Sequence, residues 1–373
     1  MKLDCLIVGA GFAGAVCAER LANAYGKSVL VVEKRSHIGG NAFDSYDDYG
    51  ILIHRYGPHI FHTRIEEVWN YLCRFTSWRP YQHRVLGWIE GRLVPLPFNL
   101  NTLAALFPRN QALRLERTLV QRYGLGARVP ILELRQEHDA DLRMLADFIY
   151  EKVFFNYTKK QWGVKPEELS PSVTARVPVV VGTDNRYFDD PWQSMPFQGY
   201  SALFARLLDS ERIEILLNTK YRQVAADLKP RMLIYTGMID AFFDYRYGPL
   251  PYRSLEFRER NIPLDSYQEA AIVNYPNDYS YTRITEYKKL TGQASSSTTI
   301  STELPRSYEN EADEAYYPIP QEENRLLYER YQEEARRLPA VRFVGRLGQY
   351  TYLNMDQTVA AALRCAEEVA GIL

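Results

Sequence analysis

The spacing of apolar positions changes character several times along this chain, and each change marks a different kind of element. Leu6-Ile7-Val8 is a short apolar run ending at Gly9, and Val29-Leu30-Val31-Val32 repeats it after an apolar stretch of helical character. Such runs predict buried strands on either side of a helix, a βαβ unit. An extended loop over residues 55–63 and a short amphipathic helix over 66–75 follow. Residues 81–96 predict a hairpin turning at Glu90-Gly91. Between Asn101 and Trp162 the period becomes helical, with Leu113, Leu115 and Leu119 and then Leu142, Leu145, Phe148, Ile149 and Val153. Residues 173–186 read as extended, 200–208 as a helix, and 213–217 and 232–236 as strands. From Tyr252 to Leu304 the period falls to two, in segments 254–258, 271–275, 279–287 and 297–304, which predicts an antiparallel sheet. Residues 341–346 predict a strand and turn, and 356–372 a helix on Val359, Leu363, Ala366 and Val369.

Strand and helix signals near both ends enclose a helical block and an antiparallel block. The fold class expected is therefore α/β: a discontinuous Rossmann-like domain, whose N-terminal glycine motif makes it the FAD-binding domain, with a helical-bundle insertion and an antiparallel β-sheet domain. The boundaries are 1–76, 193–235 and 320–373 for the first, 98–175 for the bundle, and 77–97, 176–192 and 236–319 for the sheet.

The cofactor expectation rests on Gly9, Gly11 and Gly14, a Gly-x-Gly-x-x-Gly turn between a strand and a helix. This turn lets the main chain approach a pyrophosphate, whose charge is favoured by the free N–H groups at the helix start. Glu33 ends the second strand about 20 residues later, where a carboxylate accepts ribose hydroxyls. NAD and FAD share that turn. The loop of Arg35, Gly39, Gly40 and Asn41, placed where a nicotinamide domain would go on to its next helix, favours an extended FAD. No second complete glycine motif supplies an NAD(P)H domain, so electrons must reach an exposed flavin. The helix at 356–372, if aimed at the flavin pyrimidine, would stabilise negative charge on its N1 and O2 edge.

Composition excludes some classes. Lys and Arg number 45 against 46 Asp and Glu, so no global field attracts nucleic acid or an anionic membrane. The four cysteines, Cys5, Cys17, Cys73 and Cys365, lack ligand spacing, which predicts reduced thiols and neither disulfides nor zinc. No apolar stretch reaches the roughly 20 residues of a membrane span. A cytoplasmic protein is expected.

The 28 tyrosines cluster near proline, arginine and tryptophan. Their faces and hydroxyl tips suit sugars, uracil and phosphate oxygens, although most must serve packing. Alternation puts Tyr281, Arg283 and Thr285 on one strand face and Ile284 on the other, and an arginine there can hold a diphosphate by forked hydrogen bonds. The aromatic stretch from Phe154 to Gly163 could stack on a base, and Ala175-Arg176-Val177-Pro178 carries a second candidate arginine.

Taken together these segments resemble the bacterial UDP-galactopyranose mutase family over essentially the whole chain. The likeness is carried by the N-terminal glycines, His37-Ile38-Gly39-Gly40-Asn41, Tyr56 to Thr63, Tyr157-Thr158, Gln161-Trp162-Gly163, Tyr281 to Glu286, Tyr316-Tyr317-Pro318-Ile319 and Phe343 to Gly348. The resemblance implies interconversion of UDP-galactopyranose and UDP-galactofuranose with no net redox change, reduced FAD attacking the anomeric carbon through N5. It implies that Arg176 and Arg283 clamp the diphosphate and that Tyr187, Tyr317 and Tyr352 donate hydroxyls to it. Phe154, Phe155, Tyr157 and Trp162 would wall the uridine and sugar, with Thr158 and Asn274 beside them. The implied cofactor set is Gly9, Gly11, Phe12, Gly14, Glu33, Lys34, Arg35, Gly40, Asn41, His59, Ile60, Arg346, Tyr352, Met355 and Asp356. His59 is read as a catalytic-site group that positions the flavin more than it shuttles protons. His83 departs from the asparagine that some members carry there, and a substrate contact is expected of it. Partners expected are UDP-galactose in both ring forms, an external or NAD(P)H-derived reductant and a second copy of the chain. A mobile lid is expected over 162–173 and 274–280. The rival readings are a flavin amine oxidase-like oxidoreductase and a silent nucleotide-sugar-binding protein.

Overall fold

The computed structural model describes residues 3–175 and 177–373. Its first unit is a five-stranded, wholly parallel sheet in the order Ile213–Leu216, Val29–Val32, Cys5–Val8, Met232–Tyr235, Val341–Phe343. The central strands are buried on both faces, which is why they read as continuous apolar runs. Helix Phe12–Glu19 lies fully buried between the sheet and helix Met355–Ile372, so widely separated segments share one core with Val359, Ala362, Ala366 and Val369. Gly14 permits this: a Cβ there would stand 1.9 Å from the Gly9 carbonyl oxygen. Among the described residues no helix is long and apolar enough to cross a membrane.

The helical unit comprises Leu100–Leu106, Arg109–Tyr123, Ala140–Ile149 and Asn156–Trp162. Asn99 and Asp139 cap two of these helices, each side-chain oxygen accepting from two N–H groups of the first turn. Leu103, Leu115, Leu119, Leu142, Leu145 and Ile149 form its core. Leu113 does not join them and is exposed, because two residues along a helix is about 200° of rotation.

The third unit is a seven-stranded sheet, in the order Tyr317–Pro318, Tyr252–Ile262, Thr298–Ser307, Arg283–Glu286, Ile272–Asn274, Val85–Ile89, Arg92–Leu96. The hairpin turns at Glu90 and Gly91, both at positive φ (51° and 73°), as a two-residue turn matching the strand twist requires. Three expectations need correction. The sheet is mixed, since Ile272–Asn274 pairs parallel with Val85–Ile89 after a long excursion through the other units. The strand expected over 279–287 starts only at Arg283, and Tyr287–Thr291 is a helical turn that buries Tyr287 and Leu290 in the first unit's core. The segment expected to be extended begins as helix, Pro171–Ala175, and its one strand, Val179–Val180, pairs with Arg128–Val129 of the helical unit, not with the sheet. Trp78–Pro80 likewise leaves the large sheet: it flanks Trp192–Pro196, whose other neighbour is Phe61–Thr63.

Candidate active site

Every parallel strand of the first unit ends at the same edge, and the residues beyond those ends enclose a cavity of about 670 Å³. Val8 ends the first strand and Gly9 and Gly11 follow it, Glu33 to Arg35 follow the second, Thr219 to Arg222 the edge strand, Thr236 to Met238 the fourth, which ends in Tyr235, and Gly345 to Leu347 the last. Ligands of open α/β sheets bind in this position. The glycine turn and the second loop meet back to back: a Cβ on Gly40 would lie 2.8 Å from Gly11 Cα, and Gly39 N donates to the Ala10 carbonyl (2.9 Å). Only glycines let two main chains approach this closely, which leaves a backbone-lined cradle at the amino end of helix Phe12–Glu19.

Glu33 is buried at the cavity wall, and its two carboxylate oxygens accept from Ala10 N and Arg35 N (2.9 Å each). Each oxygen retains a lone pair for a ligand hydroxyl. Arg35 is pinned by Glu314 (2.6 Å) and Asn41 (2.8 Å) and lies 4.2 Å over the Tyr56 ring, so it stiffens the loop that carries Gly39 and Gly40. Lys34 shares Glu314 at 3.1 Å.

At another part of the wall stand His59, Arg346, Met355 and Thr358. His59 Nδ1 lies 2.8 Å from the Gly57 carbonyl, an obligate acceptor, so the ring must carry its proton there and Nε2 is the free acceptor. Burial, with His54 nearby, pulls His59 down to about 3, and the imidazole is neutral at pH 7. Met355 and Thr358 bring the amino end of helix Met355–Ile372 to the cavity, where its dipole favours negative charge. Arg346 donates to the Tyr316 (3.0 Å) and Leu353 (2.6 Å) carbonyls, and its guanidinium lies 4.9 Å over the Tyr352 ring.

Tyr352 belongs to a second cluster with Trp162 and Tyr317, whose ring centroids are 4.8–5.7 Å apart. Next to it the mixed sheet sets Asn274, Arg283 and Glu303 directly opposite one another on three neighbouring strands. Farther along the same face Val85 and Ile272 are apolar and pack on the helical unit. Where the row turns polar, hydrogen bonds run short. Asn274 Oδ1 and Arg283 Nε are buried without a hydrogen-bond partner, and the buried Tyr317 Oη has the Gln161 side chain beside it but no hydrogen bond of good geometry. Arg283 Nε does lie 3.0 Å from Glu303 Oε1, but off the N–H axis, and that oxygen already accepts from Thr282 Oγ1 (2.9 Å). A buried polar atom without a good hydrogen bond costs about 1–3 kcal/mol, so three in one place point to a polar ligand. The Arg283 side chain is densely enclosed yet 22% exposed, so it opens into a cleft.

Burial raises the Tyr157 and Tyr317 hydroxyls above their ordinary range and keeps both protonated. His83 is buried too, and burial, with Arg283 and His62 beside it, lowers it to about 3. It lies within 3.2 Å of Tyr81 Oη, packs near Phe188 and Tyr187, and its carbonyl accepts from Tyr187 N (2.7 Å).

The structure thus gathers two groups from the expected set. Gly9, Gly11, Phe12, Glu33, Lys34, Arg35, Gly40, Asn41, His59, Arg346 and Met355 line the cavity. Tyr157, Trp162, Tyr187, Asn274, Arg283, Tyr317, Tyr352 and His83 surround the cleft. Others lie elsewhere. Phe154 is built into the helical core, and Phe155 packs on Tyr150 (5.7 Å), because the turn Tyr150–Phe155 widens to π geometry and rotates these rings. Thr158 is buried on the inner face of its helix. Ile60 packs against both the first core and the helical core, and the Asp356 carboxylate accepts from Thr63 Oγ1 (3.0 Å); neither lines the cavity. Gly14 serves packing rather than contact. Arg176 lies outside the described residues.

Sequence reasoning missed Thr219 to Arg222, Tyr235 to Met238, Tyr308, Glu311, Glu314 and Tyr316, all at the cavity. For the first two groups a signal existed: each follows an expected strand of the parallel sheet.

Comparison with known proteins agrees with this geometry. The profile of the UDP-galactopyranose mutase family matches residues 152–352, and that of the NAD(P)-binding Rossmann-like domain matches 7–75. A probable UDP-galactopyranose mutase of Klebsiella pneumoniae is 38% identical over 97% of this chain and 94% of its own. The dTDP-fucopyranose mutase of Escherichia coli is 34% identical over 97% of both. The fold is similar to the crystal structure of a reduced UDP-galactopyranose mutase (TM-score 0.75, 17% identity, covering 100% of this chain and 95% of that one). It is also similar to a putative protoporphyrinogen oxidase from Exiguobacterium (TM-score 0.67, 15% identity, 100% of both chains). The chain belongs to the UDP-galactopyranose mutase family.

Proposed function

We propose that the protein holds FAD in the parallel-sheet cavity and, with the flavin reduced, interconverts the pyranose and furanose forms of UDP-galactose bound in the neighbouring cleft. The observation that carries this is the trio of Asn274, Arg283 and Tyr317, buried polar groups short of hydrogen bonds, beside a tyrosine-tryptophan wall and joined to the cavity through Arg346 and Tyr352. When bound, reduced FAD supplies N5 as the nucleophile toward the anomeric carbon, with no net redox change.

The cavity fits that cofactor. The Gly11–Gly40 cradle takes the pyrophosphate, Glu33 the ribose hydroxyls, and His59, Arg346 and Met355 the ring system. The neutral His59, its Nδ1 proton committed to Gly57, orients the flavin and does not exchange protons at pH 7. Arg283 meets the diphosphate. Its charge is fixed by its chemistry, no hydrogen bond to a described residue engages its Nη atoms, and negative charge grows on the leaving group as the glycosidic bond breaks. Tyr317 and Tyr157, held protonated, donate hydroxyls, while Trp162 and Tyr352 offer flat walls to the uracil and sugar. An amine or apolar substrate would leave the buried polar atoms of Asn274 and Tyr317 without a ligand partner and offer nothing to the Arg283 guanidinium beyond Glu303, which argues against an amine-oxidase-like activity.

The deciding experiment uses the purified yellow protein with UDP-galactofuranose, before and after dithionite. Isomerisation only after reduction is expected. Equal turnover by the oxidised protein, or hydride-acceptor activity without isomerisation, would overturn the reading. A parallel arm with dTDP-fucopyranose tests whether this pocket prefers the other sugar nucleotide named among its relatives.

A further inference from the structure

Helix Asn156–Trp162 carries Tyr157 and Trp162 into the cleft, and the turn at 275–281 links Asn274 to Arg283. Lys160 joins the two. Its Nζ donates to the carbonyls of Tyr275 (2.5 Å), Tyr279 (3.0 Å) and Tyr281 (3.0 Å). An ammonium has three N–H donors and no acceptor, so these carbonyls saturate it. The rings of the same tyrosines stack edge and face on one another at 4.9–5.2 Å, closing the turn around the lysine. A second tie runs through Asn277, which accepts from Asn156 Nδ2 (2.9 Å) and donates to the Lys152 carbonyl (2.9 Å).

The helix is held from the opposite direction as well. Arg253 is buried and donates to the carbonyls of Lys160 (3.1 Å) and Gln161 (2.8 Å), with Ser307 at 3.1 Å fixing its own position. The carboxyl end of the helix, which finishes at Gly163 in the left-handed region, therefore meets a buried cation at its last carbonyls. Lys160 and Arg253 both engage main chain, and neither side chain needs the substrate as a partner.

We propose that Lys160 is a positioning residue of the substrate cleft, a pin that makes the Tyr157–Trp162 wall and the 275–281 turn move as one body. The proposal rests on the reading of the cleft as a sugar-nucleotide site. Its function is to set the distance between the wall and Asn274 and Arg283, so removing it loosens binding more than chemistry. Arg253 is the fixed anchor and Lys160 the releasable tie, because the turn it holds has few hydrogen bonds of its own.

The test uses the FAD-loaded protein and its K160M and K160R variants, with amide hydrogen exchange in the absence of substrate and steady-state kinetics with UDP-galactofuranose after reduction. In K160M, exchange at 156–162 and 275–282 is expected to rise by about tenfold, as for a local opening, with flavin content and exchange elsewhere unchanged. KM is expected to rise about tenfold with kcat within about twofold, the pattern of lost uniform binding. K160R keeps charge and donors and should restore most of the protection. Unchanged exchange and KM in K160M would overturn the proposal, and so would a loss of flavin or of global stability equal to the local effect in both variants. If K160M does not fold, the same readouts on K160Q, whose amide offers two donors in place of three, decide: unchanged protection and KM there overturn it. Wild-type protein that fails to isomerise the sugar nucleotide refutes the functional reading instead, and the exchange arm still tests the pin.

Discussion

The cavity and the cleft lie side by side and are made in opposite ways. The cavity is built mostly from main chain: glycine loops in contact, strand ends, and the amino ends of two helices. The charged side chains of its glycine loops are held in place internally, Glu33 by two N–H groups and Arg35 by Glu314 and Asn41. The cleft is built from side chains delivered by three separate units, and several keep buried polar atoms without partners. One site is finished before its ligand arrives and the other is not. A permanently held cofactor suits the first arrangement, and a substrate that must bind and leave suits the second, because a site that gains hydrogen bonds only on binding stays selective for the ligand that supplies them.

The sharpest way to break this comparison is Gly40→Val. Gly40 has φ +56°, and the added Cβ would meet Gly11 Cα at 2.8 Å, so the cradle cannot close. The expected product folds, by far-UV circular dichroism, but purifies with less than about one-tenth of the wild-type flavin absorbance. Full flavin content would show that the cradle is not the cofactor site. Arg283→Ala follows, with a loss of about 100-fold or more in kcat/KM while flavin content stays normal. Turnover within about threefold of wild type would remove Arg283 from the leaving-group site.

Tyr317→Phe sharpens the contrast further. It deletes a buried hydroxyl that lacks a good hydrogen bond and keeps the ring packed on Trp162 and Tyr352. The free protein should melt at the same temperature or slightly higher, while affinity for UDP, measured by calorimetry, falls about tenfold. A lower melting temperature with unchanged affinity would mean that the hydroxyl serves the fold.

The smallest effect concerns protons. His54 and His83 are buried and His59 is enclosed at the cavity wall, and desolvation lowers His54 to about 4 and both His83 and His59 to about 3. Since the unfolded chain binds these protons first, their contribution to stability is fully present above the ordinary histidine value of about 6.5 and is lost as pH falls toward 3. Denaturant midpoints should therefore decline from pH 7 to pH 5. His83→Gln should flatten that decline by up to about 1.4 kcal/mol per pH unit. An unaltered slope would place the protonating groups elsewhere.

What the sequence made legible follows the same division. Main-chain devices leave local marks: Gly9, Gly11, Gly14 and Glu33 fall at fixed spacing, and continuous apolar runs identify strands buried on two faces. Glu90-Gly91 marks its own turn. The cleft leaves weaker marks, because Asn274, Arg283 and Glu303 become neighbours only through strand register over distant segments. Arg283 stands out for the polar face of its strand, whereas Glu303 carries no local signal at all. Phe154 shows the converse: an aromatic beside other aromatics reads as a ligand wall, and the structure packs it into the helical core within a π-helical turn. The parallel pairing of Ile272–Asn274 with Val85–Ile89 was invisible for a related reason, since alternation reports the faces of a strand and not the direction of its neighbour.

The strand order of the parallel sheet also bears on how the protein is made. Cys5–Val8 lies between Val29–Val32 and Met232–Tyr235, and the helix after it is covered by Met355–Ile372. While the ribosome works through the intervening residues at about 5–20 per second, the glycine turn waits for tens of seconds with one edge and one face uncovered. The helical unit, whose residues are contiguous, can be complete long before. The cavity walls, which include Met355 and Thr358, are therefore complete only once the chain has reached its last helix, and a nascent chain stalled before Met355 carries a finished glycine loop without the helix that covers it.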